Sequence, residues 1–542
     1  MSKLLRVLPL LLMISIAFGG GMVENTNQSA DFVRMMARNA STDLDAVFFN
    51  PAGLTKLDNG MHLYLSSQTV IQSRTITGKA TIPGAGLVTM DKEYEGTTFV
   101  PVFPNFYFAY KMDKLVFSAG FTPIGGGGSA VFEDGVPSFE APVSALVPVM
   151  AAAGVTGYNF DIDFNGSSTY LGGQASVAYA INDMISVSLG ARFFSAGNSY
   201  KGHLKDIKVE TAGGDFAPGD VMRNIAALYT GAAATATGAS ASMQTFIDGG
   251  FGDYNFTTIV ASGNPLFTQA DLDAMTAGFV ALGVPGFDPD TWTPTIAQGA
   301  YNIAAATAAG TAPVYTAQGL VLDAKTANLV VDATQSGTGF APIVGLNISL
   351  MDKLNIGIRY EGMAALELTN SNDDPNAVLY ADGETSNADM PALFGVGLSY
   401  LVMPSLNVAF DYNMYFNEDV NWDGKEADVE NGSEIAVGAE FALSKALLLS
   451  AGYNMATSGA LDAYQTDLSY SLNSSTIGLG AKYTLNPQMA ISLGFSSTAY
   501  EEGSKSGVVY ALADDGVTPS LTGDETYMKT ATVFAIGLQK SF

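Results

Sequence analysis

The stretch LNIGIRYEGM, Leu354 to Met363, alternates apolar side chains with polar or small ones. Its apolar face contains Leu354, Ile356, Ile358 and Tyr360, and its opposite face contains Asn355, Gly357, Arg359 and Glu361. A period of two residues is typical of a β-strand with one apolar face. The pattern recurs in LNVAFDYNMY from Leu406 and in STIGLGAKYTL from Ser475. The second half of the chain is therefore predicted to consist of amphipathic strands.

The connections between these strands decide which fold they form. A soluble sandwich would bury the apolar faces, whereas a membrane barrel would turn them towards lipid. Very short turns recur at residues 111–114, 181–183, 351–353, 403–405, 444–445 and 486–487. The alternate connections are long and rich in Asp, Asn, Gly and Ser. Short turns at one end and long loops at the other are the layout of an outer-membrane barrel.

The six turns, with one strand added before them and one after, predict a fourteen-stranded antiparallel barrel. We expect its strands at residues 60–76, 98–111, 114–123, 164–180, 184–204, 338–350, 354–369, 389–402, 406–417, 433–443, 446–456, 473–485, 488–500 and 527–542. An even number of strands leaves both termini on the periplasmic side. The last strand ends on Phe542, which resembles the signal that the barrel assembly machinery recognises.

Composition excludes several classes of function. The formal net charge of −28 argues against nucleic-acid binding, which needs a basic surface. The chain has no cysteine and only two histidines, His62 and His203, so we expect neither a metal nor another cofactor. A hydrolase inside the barrel would need a histidine paired with Ser or Asp, and the two histidines are poorly placed for that role. We therefore do not expect an enzyme.

The first residues, MSKLLRVLPLLLMISIAFGGG, have the order of a secretory signal peptide. Lys3 and Arg6 precede a short apolar run, and Ala17 and Gly19 fit the small-residue cleavage pattern. An N-terminal anchor is the alternative, but the run is shorter than the roughly 20 residues that a spanning helix needs. We predict a signal peptide at residues 1–19 and, after its cleavage, a location in the outer membrane of a Gram-negative cell.

One long segment, residues 207–333, does not have the strand pattern. It is rich in Ala, Thr and Gly, and Thr268 and Asp271 form a capping-box pattern ahead of an apolar run. Thr293 and Pro294 predict a second helix start, with Gly310 as its stop. We expect the segment to be an extracellular helical insert between barrel strands 1 to 5, at 59–206, and barrel strands 6 to 14, at 334–542. Two interpretations remain: a lid or capture surface, or an ordinary elaborated loop.

The residues between the signal peptide and the first strand, 20–58, are more than a barrel needs to begin. SADFVRMMARNA offers Ser29 as a helix cap, with Phe32, Met35 and Met36 at helical spacing. The following NASTDLDAVFFNPAGLTKLDNG closely resembles the N-terminal hatch of the FadL-type outer-membrane transporters. The hatch motif of that family is matched by Asn50, Pro51 and Ala52. FVPVFPNFYFAYKMDKLVFSAGFTPIGGGG is similar to the second and third strands of the same family.

The resemblance implies a monomer that takes up a hydrophobic small molecule, such as a long-chain fatty acid, without an energy source. The ligand would enter a lumenal pocket controlled by the hatch and leave sideways, through the wall, into outer-membrane lipid. Proline removes a ladder donor and glycine loosens a strand, so the candidates for the lateral opening are Pro101, Pro104 and Pro123. Gly125 to Gly128 fit such an opening too, although we favour a strand end and external loop there.

Pocket candidates follow from the hatch and from strand parity. Phe48 and Phe49 precede the hatch motif, where they contact ligand or hold the plug in place. A fatty-acid carboxylate needs a cationic partner, and inward parity selects Arg192, Arg359 and Lys482. The alternative role of these three cations is pairing with the lumenal carboxylates Glu361, Asp411, Glu434 and Glu440.

Other functions compete with transport. A diffusion porin would need an open lumen, which a plug of this length opposes. A structural or adhesive barrel would use the large insert to bind a partner. If the protein is a transporter, the sequence does not decide its ligand, because a long-chain fatty acid and an aromatic hydrocarbon both suit an apolar pocket with few polar groups.

Overall fold

The computed structural model describes residues 22–26, 28–373, 380–513 and 516–542. The predicted signal peptide, residues 1–19, lies outside the described residues. The chain divides into two compact units. The first comprises Met1–Ala145, Ile162–Leu204 and Leu329–Phe542, and the second comprises Leu146–Asp161 and Lys205–Asn328.

The strands, numbered in chain order, account for most of the described residues. They are β1 (Gly60–Ile82), β2 (Leu87–Met112), β3 (Leu115–Phe132), β4 (Val155–Ala180), β5 (Ile185–Thr211), β6 (Gly214–Phe216), β7 (Leu329–Leu350), β8 (Leu354–Glu361), β9 (Glu367–Asn372), β10 (Thr385–Asn387), β11 (Leu393–Met403), β12 (Leu406–Tyr415), β13 (Gly432–Ala442), β14 (Leu447–Thr457), β15 (Ser474–Asn486), β16 (Met489–Tyr500), β17 (Gly503–Leu512) and β18 (Pro519–Ser541).

These strands form a closed antiparallel barrel of fourteen, as predicted. β8 with β9, β10 with β11, and β16 with β17 each make up one barrel strand, while β6 only pairs back on β5. β1 closes the barrel by pairing with β18 from His62↔Ser541 to Thr81↔Thr522. This pairing leaves neither the first nor the last strand as a free edge strand, which a sheet in a bilayer requires.

The wall has an apolar exterior and a polar interior, the reverse of a soluble sandwich. On β12, Val408 and Phe410 are 36% and 40% exposed, whereas the next residue, Asp411, is 3% exposed. On β15, Ile477 and Leu479 are likewise exposed. Apolar side chains that face outward all around a closed barrel are stable only against lipid.

All six predicted short turns connect barrel strands. Met351 and Asp352 both have positive φ, 54° and 51°, in the connection from β7 to β8. Positive φ at both central residues is the backbone of a type I′ hairpin turn, whose twist matches that of the flanking strands. The MDK sequence adopts it without the usual Asn-Gly.

Several strands are longer than predicted at the end opposite these turns. β1 and β2 continue into one hairpin, where we expected a long loop, and Pro83 to Gly86 form its tight turn. Gly84 and Gly86 supply the positive φ values there, 79° and 61°. β3 does not end near Pro123, because it keeps its ladder to β4 through two bulges and continues to Phe132. Gly125 to Gly128 therefore lie within a strand, which corrects our interpretation of them as a strand end.

The helices are shorter and fewer in the first unit than in the second. They are α1 (Ala30–Arg34), α2 (Ala46–Phe49), α3 (Pro137–Ser144), α4 (Leu146–Val149), α5 (Pro218–Phe246), α6 (Phe256–Ala261), α7 (Gln269–Ala281) and α8 (Pro294–Lys325). Short 3₁₀ turns lie at Pro51–Lys56, Ala151–Ala153, Asn417–Asp419 and Lys425–Asp428, and a π turn lies at Ile247–Phe251. Within the described ranges, no helix combines the length and the apolar character needed to cross a bilayer.

In the second unit, the long helices α5 and α8 pack on each other. Tyr229 stacks on Tyr315 with ring centroids 5.5 Å apart, and Arg223 pairs with Asp323 at 2.5 Å. The predicted helix starts are confirmed, since Thr268 forms a capping box and Thr293 caps α8 with Pro294 in the first turn. Gly310 was wrongly predicted as a stop. α8 continues through it because packing against α5 outweighs the low helix propensity of one glycine.

Candidate functional site

The hatch, residues 20–58, is almost entirely buried in the first unit where it is described. Ser29 caps α1 by accepting from the Phe32 amide at 3.1 Å, as predicted, and Met35 ends the helix in an extended conformation. Phe32, Met35 and Met36 are at most 5% exposed. The short helix thus presents an apolar surface to the lumen instead of water.

The Asn-Pro-Ala motif connects the hatch to the wall. Asn50 caps the 3₁₀ turn by accepting from the Ala52 amide at 3.3 Å, with Pro51 as the first turn residue. The Asn50 amide also donates to the Leu346 carbonyl on β7 at 3.0 Å. Ser186 of β5 donates to the Ala52 carbonyl at 2.8 Å. The motif therefore joins two wall strands through one turn.

A cluster of buried ion pairs holds the middle of the hatch. Arg34 pairs with Asp31 at 2.7 Å and with Glu440 of β13 at 2.5 Å. Arg38 pairs with Asp45 at 2.6 Å. These charges pair with one another inside the lumen, as buried charges require, although Nη2 of Arg34 is buried without a hydrogen-bond partner.

Lys482, one of the predicted pocket cations, belongs to this ion-pair cluster. Its ammonium lies 3.5 Å from a carboxylate oxygen of Asp43. Together with Arg38, it lowers the pKa of Asp43 to about 2. Lys482 is not among the residues that line the cavity described next.

The lumen contains a cavity beside the hatch. It is narrow, with an interior volume of about 20 Å³. The lining residues are Glu24, Asn25, Thr26, Phe48, Ile124, Arg192, Phe194, Ala341, Arg359, Glu361, Gly362, Ala364, Met390, Pro391 and Leu393. Three predicted pocket residues, Phe48, Arg192 and Arg359, are thus brought together. Phe49 lies behind Phe48, where it stacks on Phe32 with centroids 5.7 Å apart.

Two guanidinium groups and one aromatic ring form the polar end of this cavity. Arg192 pairs with Glu361 at 2.7 Å, and Arg359 forms a salt bridge with the same carboxylate. The guanidinium carbons lie 4.5 Å and 5.3 Å from the Phe48 ring centroid, within cation–π range. The Nε atoms of both arginines are buried without a hydrogen-bond partner. Phe48 therefore faces two cations that share one carboxylate.

Glu24 is the second acidic group in the cavity. Both of its carboxylate oxygens are buried without a hydrogen-bond partner among the described residues. Burial raises its pKa to about 8, assisted by the charge of Glu361 and opposed by that of Arg192. Glu24 is therefore mainly protonated at neutral pH, so the two arginines face a single ionised carboxylate.

The barrel wall is interrupted next to this cavity. β2 and β3 pair at Thr97↔Val131 and again from Phe106↔Phe121, and the described residues form no ladder pair between these points. We call this interruption the wall gap, between residues 98–105 of β2 and 122–130 of β3. Ile124 lies on its β3 side and also lines the cavity. The cavity and the wall gap are therefore adjacent.

The three predicted prolines all lie at the wall gap. Pro101 sits in a bulge of β2 against β1, between the pairs Gln68↔Phe103 and Val70↔Val100. Pro104 keeps its pairing with β1 on the other edge of the strand. Pro123 precedes the first bulge of β3 against β4. A proline has no amide hydrogen to donate, so each one weakens local strand pairing.

The start of the hatch lies across the wall gap. Glu24 forms an isolated antiparallel bridge with Gly125, and the Asn25 amide donates to the Ile124 carbonyl at 2.9 Å. The Gln28 side chain donates to the Pro123 carbonyl at 2.9 Å and accepts from the Thr122 hydroxyl. These hatch residues thus use backbone groups of β3 that β2 leaves without a ladder partner.

Sequence patterns did not identify Glu24 or Gln28. Their partners are mostly backbone groups, which leave no compositional trace. His62, considered for a hydrolase, lies 2.8 Å from the Ser541 hydroxyl, but its other ring nitrogen contacts the Asp58 backbone carbonyl. Neither contact is a carboxylate side chain, which is the group that orients the histidine of a catalytic triad.

Comparison with solved structures finds proteins of similar fold. A Pseudomonas aeruginosa FadL homologue superimposes with a TM-score of 0.57 and 13% identity, over 96% of this chain and 100% of that chain. The Pseudomonas putida toluene transporter TodX has a TM-score of 0.48 and 13% identity, over 98% and 100%. The Ralstonia pickettii toluene transporter TbuX has a TM-score of 0.42 and 14% identity, over 92% and 94%. No protein-family model and no curated protein matches the sequence.

The closed barrel, its lipid-facing exterior and its internal hatch define an outer-membrane β-barrel. Its fold is that of the FadL-type outer-membrane transporters, as the resemblance implied.

Proposed function

We propose that this protein lets hydrophobic small molecules cross the outer membrane passively, through the cavity and then sideways through the wall gap. One observation carries the proposal: Ile124 belongs both to the cavity lining and to the interrupted strand. The start of the hatch, from Glu24 to Gln28, lies across the gap beside this cavity. Apolar ligands favour that exit because lipid solvates them better than water.

We further propose that the preferred ligand is an amphiphile with a carboxylate, such as a long-chain fatty acid. Arg192 and Arg359 carry two positive charges against the single ionised carboxylate of Glu361. A ligand carboxylate would balance the remaining charge, and guanidinium groups bind carboxylates with two parallel hydrogen bonds. Phe194, Met390 and Leu393 supply apolar surface for the tail. An uncharged aromatic hydrocarbon is the alternative ligand, because the apolar part of the lining suits it as well.

The test restrains the start of the hatch at the wall gap. Because the chain contains no cysteine, Gln28→Cys with Thr122→Cys introduces the only two thiols. A short, reducible thiol cross-linker would then tie the hatch to β3. We expect cross-linking to abolish uptake of labelled oleate into cells that lack their own transporter, and reduction to restore it.

A matched control ties two wall strands together away from the gap. Thr476 and Thr498 have hydroxyls 2.9 Å apart on β15 and β16, so Thr476→Cys with Thr498→Cys accepts the same reagent. This cross-link should leave uptake unchanged. Normal oleate uptake by the cross-linked Gln28 and Thr122 variant would rule out release through the wall gap.

An adhesive function remains the alternative, and exposed apolar side chains of the second unit favour it. Leu228, Leu266, Val280 and Ile303 are each at least 70% exposed. Replacing these four by serine separates the two functions. Unchanged oleate uptake would assign this surface to another role, whereas loss of uptake would make it part of the transport route.

A further inference from the structure

The long helix α8 of the second unit has one face that is both apolar and exposed. Four β-branched residues lie on this face: Ile296, Ile303, Val314 and Val321. They are between 47% and 70% exposed. Their spacings of 7, 11 and 7 residues return to the same side of a helix with 3.6 residues per turn. We call these four residues the α8 stripe.

The rest of the second unit packs on the other side of α8. Ala297, Tyr301 and Ala308 are buried there, turned away from the α8 stripe. Ser240 of α5 donates to the Asn302 side chain at 2.6 Å. The helix therefore finds its partners within the chain on one side and exposes an apolar surface on the other. Exposed apolar surface of this extent marks an interaction site.

Two glycines beside the α8 stripe have no explanation within a single copy of the chain. Gly299 and Gly310 lie inside the helix, and no atom lies within 4 Å of the position that a Cβ would occupy at either one. Glycine destabilises a helix interior relative to alanine, but it lets another backbone approach closely. With Ala306 and Ala317 the glycines form a row of small residues along the stripe. Large and small residues therefore run side by side, so the stripe of an identical helix can fit against it.

Charge indicates which partner this surface fits. Residues 294–322 contain no charged side chain, although the chain has a formal net charge of −28. Between Arg223 and Lys325, every charged residue is an aspartate. A basic partner would be attracted to those aspartates and not to the α8 stripe. A second copy is repelled by them, but it can approach along the uncharged helix without that repulsion.

We propose that two copies of this protein associate through their α8 stripes. The same patch on both copies makes the interface isologous, which is the arrangement of a twofold-symmetric dimer. Apolar positions sustained over about three to four heptads are typical of helices that pair by packing alone. The stripe extends along most of a 32-residue helix, so it meets that length. The proposal differs from the monomer that the family resemblance implies, and it does not depend on the transported ligand.

The first test measures the oligomeric state of the full-length protein. Sedimentation equilibrium in density-matched detergent should show a reversible monomer–dimer equilibrium. Ile303→Lys with Val314→Lys places unpaired charges in the interface, so the dimer dissociation constant should rise at least about tenfold. Ala309→Lys with Thr316→Lys adds the same charge at exposed positions of α8 away from the stripe, and should leave the constant unchanged. Equal weakening by both pairs would overturn the proposal.

The second test uses the glycines, because helix stability and dimer stability should change in opposite directions. Gly299→Ala with Gly310→Ala adds two methyl groups that meet nothing in a single copy. Hydrogen exchange of the α8 amides in the monomer should slow, since alanine favours the helix. The dimer dissociation constant should nevertheless rise severalfold, since the methyl groups separate the two backbones. A dimer at least as tight as the wild type would contradict packing along this row.

Cysteine cross-linking tests the association in outer membranes, because the natural chain contains no cysteine. In a parallel dimer, Ile303→Cys should form a disulfide with its own copy. In an antiparallel dimer, Ile303→Cys should instead form one with Val314→Cys on a co-expressed second copy. Ala309→Cys, which is exposed on another face of α8, should form neither. A wild type that is monomeric in detergent, with no disulfide specific to the stripe in membranes, would overturn the proposal.

Discussion

The middle and the start of the hatch are held by different forces. The middle, around Arg34 and Arg38, is held by buried ion pairs that reach across the lumen to Glu440 of β13. The start, from Glu24 to Gln28, is held at the wall gap by single hydrogen bonds to β3. A buried charge that loses its partner costs several kcal/mol, whereas a neutral hydrogen bond contributes about 1 kcal/mol.

We call the ion-paired middle of the hatch, around Arg34 and Arg38, the anchor, and its hydrogen-bonded start, from Glu24 to Gln28, the gate. Water entering the wall gap can replace each hydrogen bond of the start of the hatch with little loss of free energy. Replacing the buried ion pair of Arg38 and Asp45 with water costs more free energy. Opening is therefore expected at the wall gap while the middle of the hatch stays in place, which would release a ligand without opening a channel through the lumen.

The largest effect is expected from breaking the anchor. Arg38→Met leaves Asp45 buried without its cation, so the free energy of unfolding should fall by about 3–5 kcal/mol. Guanidinium unfolding of the barrel in lipid vesicles measures it. Arg38→Met with Asp45→Leu removes both charges and should recover most of the loss. An equal loss in the double variant would contradict a role based on charge.

A smaller effect should separate the anchor cations from the cavity cations. Arg359→Gln removes one of the two guanidinium groups facing Phe48, so oleate affinity should fall about tenfold or more, while toluene affinity stays the same. Lys482→Gln acts in the ion-pair cluster and should lower stability with little change in oleate affinity. Equilibrium binding of both ligands to both variants checks this assignment. Equal losses of oleate affinity would remove the distinction.

The gate should respond to pH through Glu24. Because its pKa is raised from 4.5 to about 8 in the folded protein, docking of the hatch start is most stable below pH 4.5. That stability is lost as the pH rises towards about 8, where Glu24 ionises beside Glu361. Hydrogen exchange of the amides of residues 22–28 should accelerate severalfold between pH 5 and pH 8, after correction for intrinsic rates. Glu24→Gln should remove the dependence, and a dependence that persists would assign it to another group.

The smallest effect is expected from an ion pair outside the hatch. Lys201 and Asp332 pair at 3.2 Å, and their side chains are 61% and 66% exposed. Water screens such a pair, so Lys201→Gln should change the free energy of unfolding by less than about 0.5 kcal/mol. The same unfolding experiment as for Arg38 sets the scale. A loss of several kcal/mol would show that burial does not explain the strength of the anchor.

The sequence predicts the barrel well because two local signals agree along the chain. A period of two identifies each strand, and the short turns fix strand number and direction. Strand length was predicted less well. In the outer parts of β1 and β2 the outward face is polar, with Lys79, Asp91 and Glu93, so the apolar outward face that identifies the other strands is missing although the backbone still pairs.

The candidate site was predicted only in part. The alternation along a strand shows which side chains face the lumen, but it does not show which inward side chains of different strands lie close together. Arg192, Arg359 and Lys482 all point inward as expected, but only the two arginines line the cavity. Their separation depends on the position around the barrel and along its axis, which no single strand encodes. The role of Gln28 was not predictable either, since it depends on a missing ladder between two other strands.

The ion pairs of the anchor join residues that are far apart in the sequence, which constrains how the barrel assembles. Arg34 leaves the ribosome early, but its partner Glu440 follows 406 residues later, and the ladder that closes the barrel needs β18, the last strand. Until then the hatch charges must stay hydrated in an unclosed sheet. Assembly is therefore expected to proceed by wrapping the wall around the plug, so that charge pairing and ring closure complete together. If the barrel closed before the hatch was in place, the hatch would be left outside the lumen.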